Sequence, residues 1–267
     1  MNTIFDSHAH YFDARYDKET EGADCVLAEV FANGVGTIVN VATNMENAVR
    51  CLAQTEKYQG MFAAVGIHPE DAQQLQLNPE KELAKLESLL LEKEHHKIVA
   101  LGEIGFDYHY EPVHYDLQKI FFERQMELAR KYHMPVIIHD REAHGDCFDM
   151  ICRFPEVKGV FHSYSGSAEM ARELVRRGWY ISFSGVVTFK NAERVRRVAA
   201  TIPSDRILAE TDCPYLAPHP NRGKINRSDY MKYTVQTLAD LFEMPFEEMV
   251  RVTRRNAEAL FDMKNCI

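Results

Sequence analysis

The chain has 267 residues, 46% of them hydrophobic and 27% charged, so it can bury a sizeable core; its length is common among single α/β barrels, although two small domains would also fit. The formal net charge of -9 argues against broad, non-specific adhesion to nucleic acid, because phosphate binding draws on clustered Lys and Arg, but it leaves room for a local basic groove. The first ten residues lack the segments of a signal peptide, and no run of about 18 apolar residues occurs, so we expect neither secretion nor a membrane span.

Short apolar and β-branched runs alternate with helical stretches along the whole chain. They predict eight strands, at residues 3–5, 37–41, 62–67, 98–104, 136–138, 159–161, 180–183 and 207–209. A helix is predicted at 116–132, and two more lie between 228 and 261, separated near Met244-Pro245.

Eight strands that alternate with helices favour an α/β fold of the (β/α)8 TIM-barrel type. An open doubly wound sheet is the competing fold, but it normally has a glycine-rich first turn, and the first strand here leads into the segment DSHAH instead. No linker or low-complexity stretch divides the chain, so we predict a single domain over residues 1–267.

Polar residues suited to metal binding stand where the predicted strands end. Asp6, His8 and His10 come first, and side-chain alternation places them on one face, where they could converge on one ion. The other strands lead to five more such residues: His68, Glu103, His139, His162 and Asp212. Each one alone fits a purely structural role, but the carboxyl ends of barrel strands converge, so together they predict a metal site.

Seven motifs carry these residues in order: DSHAH, GIHPE, GEIGFDYH, PVIIHDREAHGD, FHSYSGS, ETDCPYLAP and NRGK. Together, and over nearly the whole chain, they closely resemble the TatD family of metal-dependent deoxyribonucleases. The resemblance implies two divalent cations, magnesium, manganese or zinc, that share Glu103 as a bridge. The implied ligands are His8, His10, Glu103 and Asp212 for one cation, and Glu103, His139 and His162 for the other.

The resemblance also implies the reaction, which is hydrolysis of a phosphodiester bond by a water activated between two metal ions about 3.5–4 Å apart. The predicted catalytic residues are Glu103 and Asp212, of which Asp212 orients or deprotonates the water or serves only as a ligand. The implied substrate is DNA, from which a 3′-5′ exonuclease activity removes nucleotides at a single-stranded or frayed 3′ end. The alternatives are a D-aminoacyl-tRNA deacylase, another amide, ester or lactone hydrolase on the same metal site, and a metal-binding protein without turnover.

Four residues are candidates for contacts with substrate phosphate: His68, Arg141, Arg222 and Lys224. Their alternative roles are shaping the turn before Pro69 for the histidine and unpaired surface charge for the other three. A basic excess lies between residues 172 and 197, and five aromatic residues near the predicted site are candidates for base stacking: Tyr11, Phe106, Tyr108, Tyr164 and Tyr215. The chain departs from the family pattern after Asn226, where an acidic residue commonly follows and Arg227 and Ser228 stand here.

The six cysteines form no CxxC pair and no dense framework. This pattern is typical of free thiols in a reducing compartment, so we predict a cytoplasmic protein. We expect a monomer.

Overall fold

The computed structural model describes residues 3–74 and 76–263. This part of the chain forms two compact units, one made of the residues up to Asn40 together with those from His162 onward, the other of Val41–Phe161. The predicted single domain of residues 1–267 stays a prediction. Residues 1, 2, 75 and 264–267, which include Cys266, lie outside the described part.

The first unit alternates strands and helices at both ends of the chain. Its elements are β1 (Ile4–Ala9), α1 (Ala14–Glu19), α2 (Ala23–Ala32), β2 (Val35–Val41), α8 (Ala168–Arg176), β7 (Tyr180–Phe183), α9 (Glu193–Ala199), β8 (Ile207–Ala209), α10 (Met231–Leu241) and α11 (Phe246–Leu260). Three short 3-10 turns accompany them, at Gly185–Thr188, Ser204–Arg206 and Ser228–Tyr230. The largest side chains of its core include Trp179, Phe5 and Phe183.

The second unit continues the alternation in the middle of the chain. Its elements are α3 (Met45–Lys57), β3 (Met61–Val65), α4 (Pro69–Gln74), α5 (Pro79–Leu91), β4 (Ile98–Asp107), α6 (Tyr115–Tyr132), β5 (Val136–Arg141), α7 (His144–Cys152) and β6 (Gly159–Phe161). Local signals define several helix starts: Asn44 and Asn47 form a capping box on α3, and Asn78 caps α5 ahead of Pro79 in its first turn.

The strands belong to one eight-stranded sheet whose order follows the chain from β1 to β8. Neighbouring strands run parallel, as in the pairs β1–β2, β4–β5 and β7–β8. The chain after β8 returns to the first strand, where Ala9 forms a parallel bridge with Cys213. Parallel strands in chain order with helices between them are the (β/α)8 TIM-barrel fold, so that prediction is confirmed.

Three strands extend beyond their predicted ends. β1 reaches Ala9 and β5 reaches Arg141, so His8 and His139, which we expected to follow their strands, lie within them. β4 reaches Asp107 and contains Glu103, as predicted. The extension has a backbone cause, because parallel pairing between β4 and β5 continues through Gly105 and His139 to Asp107 and Arg141 whatever the polarity of the side chains.

Two glutamines of α6 complete hydrogen bonding at the ends of β3 and β4. The side chain of Gln118 accepts a hydrogen bond from the backbone N–H of Asp107 (2.9 Å) and donates one to the carbonyl oxygen of the same residue (2.8 Å). Gln125 does the same for Ile67, at 2.7 and 3.1 Å. Both glutamines are buried, so α6 fixes the strand ends that carry polar residues.

The five cysteines in the described part of the chain are free thiols, as the sequence predicted. Among the described residues, no helix is both long and apolar enough to span a membrane.

Candidate metal centre

His8, His10 and Asp212 form a group of metal-ligand atoms in the first unit. The Nε2 atoms of His8 and His10 lie 3.0 Å apart, and Oδ1 of Asp212 lies 3.2 Å from Nε2 of His10 and 3.8 Å from Nε2 of His8. Two imidazole nitrogens and a carboxylate oxygen that meet within 4.8 Å are a donor set that fits a divalent cation.

The backbone after β8 is held against β1 so that Asp212 reaches this group. The N–H of Asp212 donates to the carbonyl oxygen of His8 (2.9 Å), and the N–H of His10 donates to the carbonyl oxygen of Cys213 (2.8 Å). Asp212 adopts a left-handed conformation, with φ of 57°, which is uncommon for a residue other than glycine. The ladder between the two strands therefore continues through the candidate ligands.

Burial and histidine contacts act in opposite directions on the Asp212 carboxyl. Burial alone raises its pKa, but the hydrogen bond from His10 and the nearby His162, His8 and His10 rings together hold the pKa below its ordinary value. The carboxylate is thus kept in the ionised form that a metal ligand needs.

Asp6 does not join His8 and His10, so that part of the predicted convergence is wrong. Its Oδ2 accepts hydrogen bonds from the hydroxyls of Thr211 and Ser228, both at 2.6 Å, and its Oδ1 accepts from the N–H of Thr211 at 3.0 Å. Burial raises the pKa of Asp6 to about 6. The physical reason for the difference is a register shift between Asp6 and Ala9 in the pairing of β1 with β2, which breaks the strict alternation of side chains.

His162, which follows β6, packs against His8. The two rings are stacked with centroids 4.1 Å apart and planes 13° from parallel. Nδ1 of His162 lies 3.4 Å from Oε1 of Glu210, and the same oxygen accepts the N–H of Ser163 at 2.7 Å. Glu210 is buried and was missed by the sequence analysis, although it stands two residues before Asp212 in the ETD motif.

A second group of ligand atoms lies in the second unit and consists of His68, Glu103 and His139. Oε1 of Glu103 lies 2.6 Å from Nδ1 of His139 and 3.6 Å from Nε2 of His68. The two imidazole rings meet edge to face, with centroids 4.2 Å apart. His68, which we predicted as a phosphate contact, is therefore placed as a candidate ligand of a cation as well.

Asp107 supports this second group and was not singled out from the sequence. Its Oδ2 lies 3.0 Å from Nε2 of His139, and its Oδ1 accepts the N–H of His109 at 2.9 Å. Burial alone raises the pKa of Asp107, but the hydrogen bond and charge of His139 outweigh that effect and leave the pKa below its ordinary value. An ionised carboxylate on the far nitrogen of a ligand histidine orients the ring and makes it a stronger donor.

Glycines allow the strands around Glu103 to approach closely. A Cβ on Gly105 would lie 1.9 Å from the carbonyl oxygen of His139, and Gly105 has φ of 149°. A Cβ on Gly102 would lie 2.7 Å from Cβ of Ile137, and one on Gly66 would lie 2.6 Å from the backbone of Gly102. Only glycine fits these positions.

The other predicted phosphate contacts lie in two places: Arg141 is the last residue of β5, and Arg222 and Lys224 are exposed in the segment after β8. The guanidinium of Arg141 lies 4.9 Å from the ring centre of Tyr110, and that of Arg222 lies 3.8 Å from the ring centre of Phe189. Lys224 lines a groove of about 340 Å³ that also contains the carboxylates of Glu19, Glu21 and Glu29. Contact of these three residues with phosphate stays a prediction.

The structure also bears on the five aromatic residues expected near the site and on the basic residues between 172 and 197. Tyr11, Phe106 and Tyr164 are buried, so the prediction that they stack on bases is wrong, whereas Tyr215 is 46% exposed. Four of the seven basic residues between 172 and 197 are engaged locally: Arg172 with Glu169, Arg176 and Arg177 with Glu173, and Arg196 with the carbonyl oxygens of Val187, Phe189 and Lys190.

Comparison with known proteins gives consistent matches over nearly the whole chain. The family model described as TatD related DNase matches residues 5–262. The metal-dependent hydrolase YabD of Bacillus subtilis is 41% identical over 260 residues, covering 97% of this chain and 98% of the relative. YcfH of Escherichia coli K12, also named a metal-dependent hydrolase, is 34% identical and covers 97% of this chain and 95% of the relative.

Solved structures agree with these matches. The crystal structure of YJJV, a TatD homologue from Escherichia coli K12, superimposes with a TM-score of 0.89 at 30% identity, covering 98% of this chain and 99% of that one. A TatD family hydrolase from Entamoeba histolytica superimposes with a TM-score of 0.84 at 23% identity, covering 97% and 98%. The second likeness bears on the fold alone.

Proposed function

The chain belongs to the TatD-related DNase family and is a metal-dependent hydrolase, and from this premise we propose that it hydrolyses phosphodiester bonds of DNA. The observation that carries the proposal is the meeting of histidine nitrogens with a carboxylate oxygen in each unit, around Asp212 in the first and around Glu103 in the second. Imidazole nitrogens and carboxylate oxygens that lie this close together are the donors that divalent cations such as zinc bind.

We propose that the chain holds two divalent cations, with the ligand sets that the family resemblance implies. His8, His10, Glu103 and Asp212 would hold one cation, and Glu103, His139 and His162 the other. The imidazole donors favour zinc or manganese, while the carboxylates also admit magnesium. When bound, the cations would supply activation of the attacking water and neutralise charge on the phosphate.

The residues of the chain have distinct parts in the proposed reaction. Asp212, kept ionised by its histidine neighbours, orients the attacking water and accepts its proton. Asp107 fixes the ring of His139, and Glu210 lies beside Nδ1 of His162, so two candidate ligands have a buried carboxylate next to them. These contacts hold the donors in place before substrate arrives, which is what electrostatic stabilisation of a transition state requires.

The proposed substrate is DNA with a single-stranded or frayed 3′ end, degraded in the 3′-5′ direction. The support for DNA is the family to which the chain belongs. A monomeric, cytoplasmic enzyme is part of the same proposal.

The test is hydrolysis by protein that has been stripped of metal and then reloaded separately with magnesium, manganese or zinc. Substrates are end-labelled single-stranded DNA, RNA and D-aminoacyl-tRNA. The proposal predicts shortening of the DNA from its 3′ end and loss of that activity in Glu103→Ala. Preferential cleavage of RNA or deacylation of the tRNA would replace DNA as the substrate.

The matched control is Glu80→Ala, which removes a carboxylate that is 79% exposed and pairs with Arg124 on the surface of the same unit. This variant should keep the parent rate. If Glu103→Ala also cleaved DNA at the parent rate, a contaminating nuclease would be sought first, and the same result from a second purification route would refute the role of Glu103.

A further inference from the structure

Two loops of the first unit, which follow β7 and β8, pack against each other. Gly185 lies so close to the second loop that a Cβ there would be 2.2 Å from the carbonyl oxygen of Leu216. The N–H of His219 donates to the hydroxyl of Thr188 at 2.8 Å. These contacts join the loops just beyond the carboxyl ends of their strands, the end at which TIM-barrel enzymes bind substrate.

A stacked pair of side chains extends the contact between the loops. The guanidinium of Arg222 lies over the ring of Phe189, with 3.8 Å between its central carbon and the ring centre, and Nη1 of Arg222 donates to the carbonyl oxygen of Ala217 at 3.2 Å. A guanidinium has five N–H donors in a rigid plane, so this arrangement orients Arg222 while other donors remain for a ligand.

The charge of the two loops contrasts with that of the chain. Residues 184–192 and 213–228 contain no Asp or Glu, in a protein whose formal net charge is -9. Lys190 stands directly after Phe189 in the first loop and is exposed, as Arg222 is in the second.

The other cations of the second loop have acidic residues around them. Arg227 pairs with Glu29 at 2.8 Å and with Asp229 at 2.6 Å. Lys224 lines the groove that holds the three carboxylates of Glu19, Glu21 and Glu29. Among the described residues of the two loops, Arg222 and Lys190 form no ion pair and do not line that groove.

We propose that Phe189, Lys190 and Arg222, called here the loop 7/8 surface, bind the phosphate backbone of a single-stranded DNA outside the bond that is cut. Arg222 supplies a planar fork for a phosphate, Lys190 adds a second cation, and Phe189 holds the fork in place. This inference rests on the proposed function, because it assumes that the substrate is a nucleic acid strand. Arg222 belongs to the loop 7/8 surface, whereas Lys224, two residues later in the chain, lines the groove with the three glutamates.

The test is binding of a fluorescein-labelled phosphorothioate oligothymidylate, which keeps the backbone charge and resists cleavage, to the full-length protein with its metal as purified. Arg222→Gln and Lys190→Gln are each expected to weaken binding about tenfold, as loss of one charged hydrogen bond does. Each should also lower the slope of log Kd against log salt by about 0.7, the value for one contact to a single strand. A neutral methylphosphonate oligothymidylate should bind parent and variants equally weakly.

The first unit offers a matched control at the opposite ends of the same two strands. Tyr180 begins β7 and Arg206 directly precedes β8, and the guanidinium of Arg206 lies 5.1 Å from the ring centre of Tyr180. Arg206→Gln removes the same charge from the same kind of stack and is expected to leave Kd and the salt slope unchanged. Phe189→Leu should weaken binding in the parent but not in Arg222→Gln, because the ring acts by holding the guanidinium.

The outcomes separate this inference from the proposed function. If the parent binds and shortens DNA but Arg222→Gln and Lys190→Gln bind the phosphorothioate as the parent does, the loop 7/8 surface is refuted and the nuclease assignment stands. The loop 7/8 surface is also refuted if Arg206→Gln weakens DNA binding as much as Arg222→Gln does, because the loss of affinity then follows the net charge of the protein. If the parent neither binds nor cleaves DNA, both proposals fail. Should Arg222→Gln not fold, Lys190→Gln decides, since Lys190 is exposed.

Discussion

Asp107 holds His139 from the side opposite Glu103, with Oδ2 of Asp107 3.0 Å from Nε2 and Oε1 of Glu103 2.6 Å from Nδ1 of the same ring. Both nitrogens of this imidazole therefore face a carboxylate. When Nε2 donates to Asp107, Nδ1 is the nitrogen that can bind a cation next to Glu103. The contact with Asp107 thus favours Nδ1 of His139 as the ligand atom.

Asp107→Asn should weaken metal binding by the second unit without unfolding it. The amide keeps the size of the side chain but loses the charge that makes His139 a stronger donor, and loss of such a partner lowers metal affinity about 10- to 100-fold. Titration of metal-free protein with Mn²⁺, followed by calorimetry, measures the change. An affinity equal to that of the parent would show that the contact with Asp107 has no part in metal binding.

The strands around Glu103 should not tolerate a side chain at Gly105. Gly105→Ala places a Cβ 1.9 Å from the carbonyl oxygen of His139, at a φ that L-residues rarely adopt. The substitution should lower the free energy of unfolding by about 1–3 kcal/mol or more. Chemical denaturation with urea provides the measurement. Gly145→Ala is the control, because a Cβ there meets nothing within 4 Å and lies in α7, where alanine is the better helix former. Equal stability of Gly105→Ala and the parent would contradict the described packing of β4 on β5.

Tyr16 should make the protein less stable in alkaline solution. Burial raises the pKa of its phenol well above the ordinary value, with smaller contributions from Cys213 and Tyr11, and its hydroxyl donates to the carbonyl oxygen of Asn226 at 2.9 Å. Above about pH 10 the unfolded chain loses this proton while the folded chain keeps it, so the free energy of unfolding falls as pH rises.

Tyr16→Phe removes that titration and should show a smaller fall in Tm between pH 9 and pH 11 than the parent, whatever its Tm at neutral pH. The comparison is made by thermal melts followed by circular dichroism. Tyr115→Phe, on the exposed surface of α6, is the control. If Tyr16→Phe lost as much Tm as the parent over this interval, burial of the Tyr16 phenol would not be a source of the pH dependence.

The sequence predicted the fold and most of the candidate ligands because both depend on short-range patterns. Eight apolar runs separated by helices indicated the strand order, and polar residues at the run ends indicated His8, His139 and Asp212. Asp107 was within reach of the same reasoning, since residues 103, 105 and 107 alternate onto one face of β4 in the GEIGFD motif. The small Gly105 between the two acids leaves space there for His139.

Other features could not be predicted from local patterns. Asp6 shares the DSHAH motif with His8, but a register shift in β1 separates the directions of the two side chains. The carboxylate of Asp6 accepts hydrogen bonds from the hydroxyls of Thr211 and Ser228, which are more than 200 residues away in the chain. Long-range contacts therefore decide the surroundings of Asp6.

Hydrolysis of DNA by two cations that share Glu103 can be tested by titrating metal-free protein with Mn²⁺. The titration follows both the bound metal and the release of nucleotides from the 3′ end of single-stranded DNA. We expect activity to develop with the second equivalent of bound metal and to be absent from Glu103→Ala at every equivalent. Full activity with one equivalent bound, or parent activity in Glu103→Ala, would contradict this mechanism.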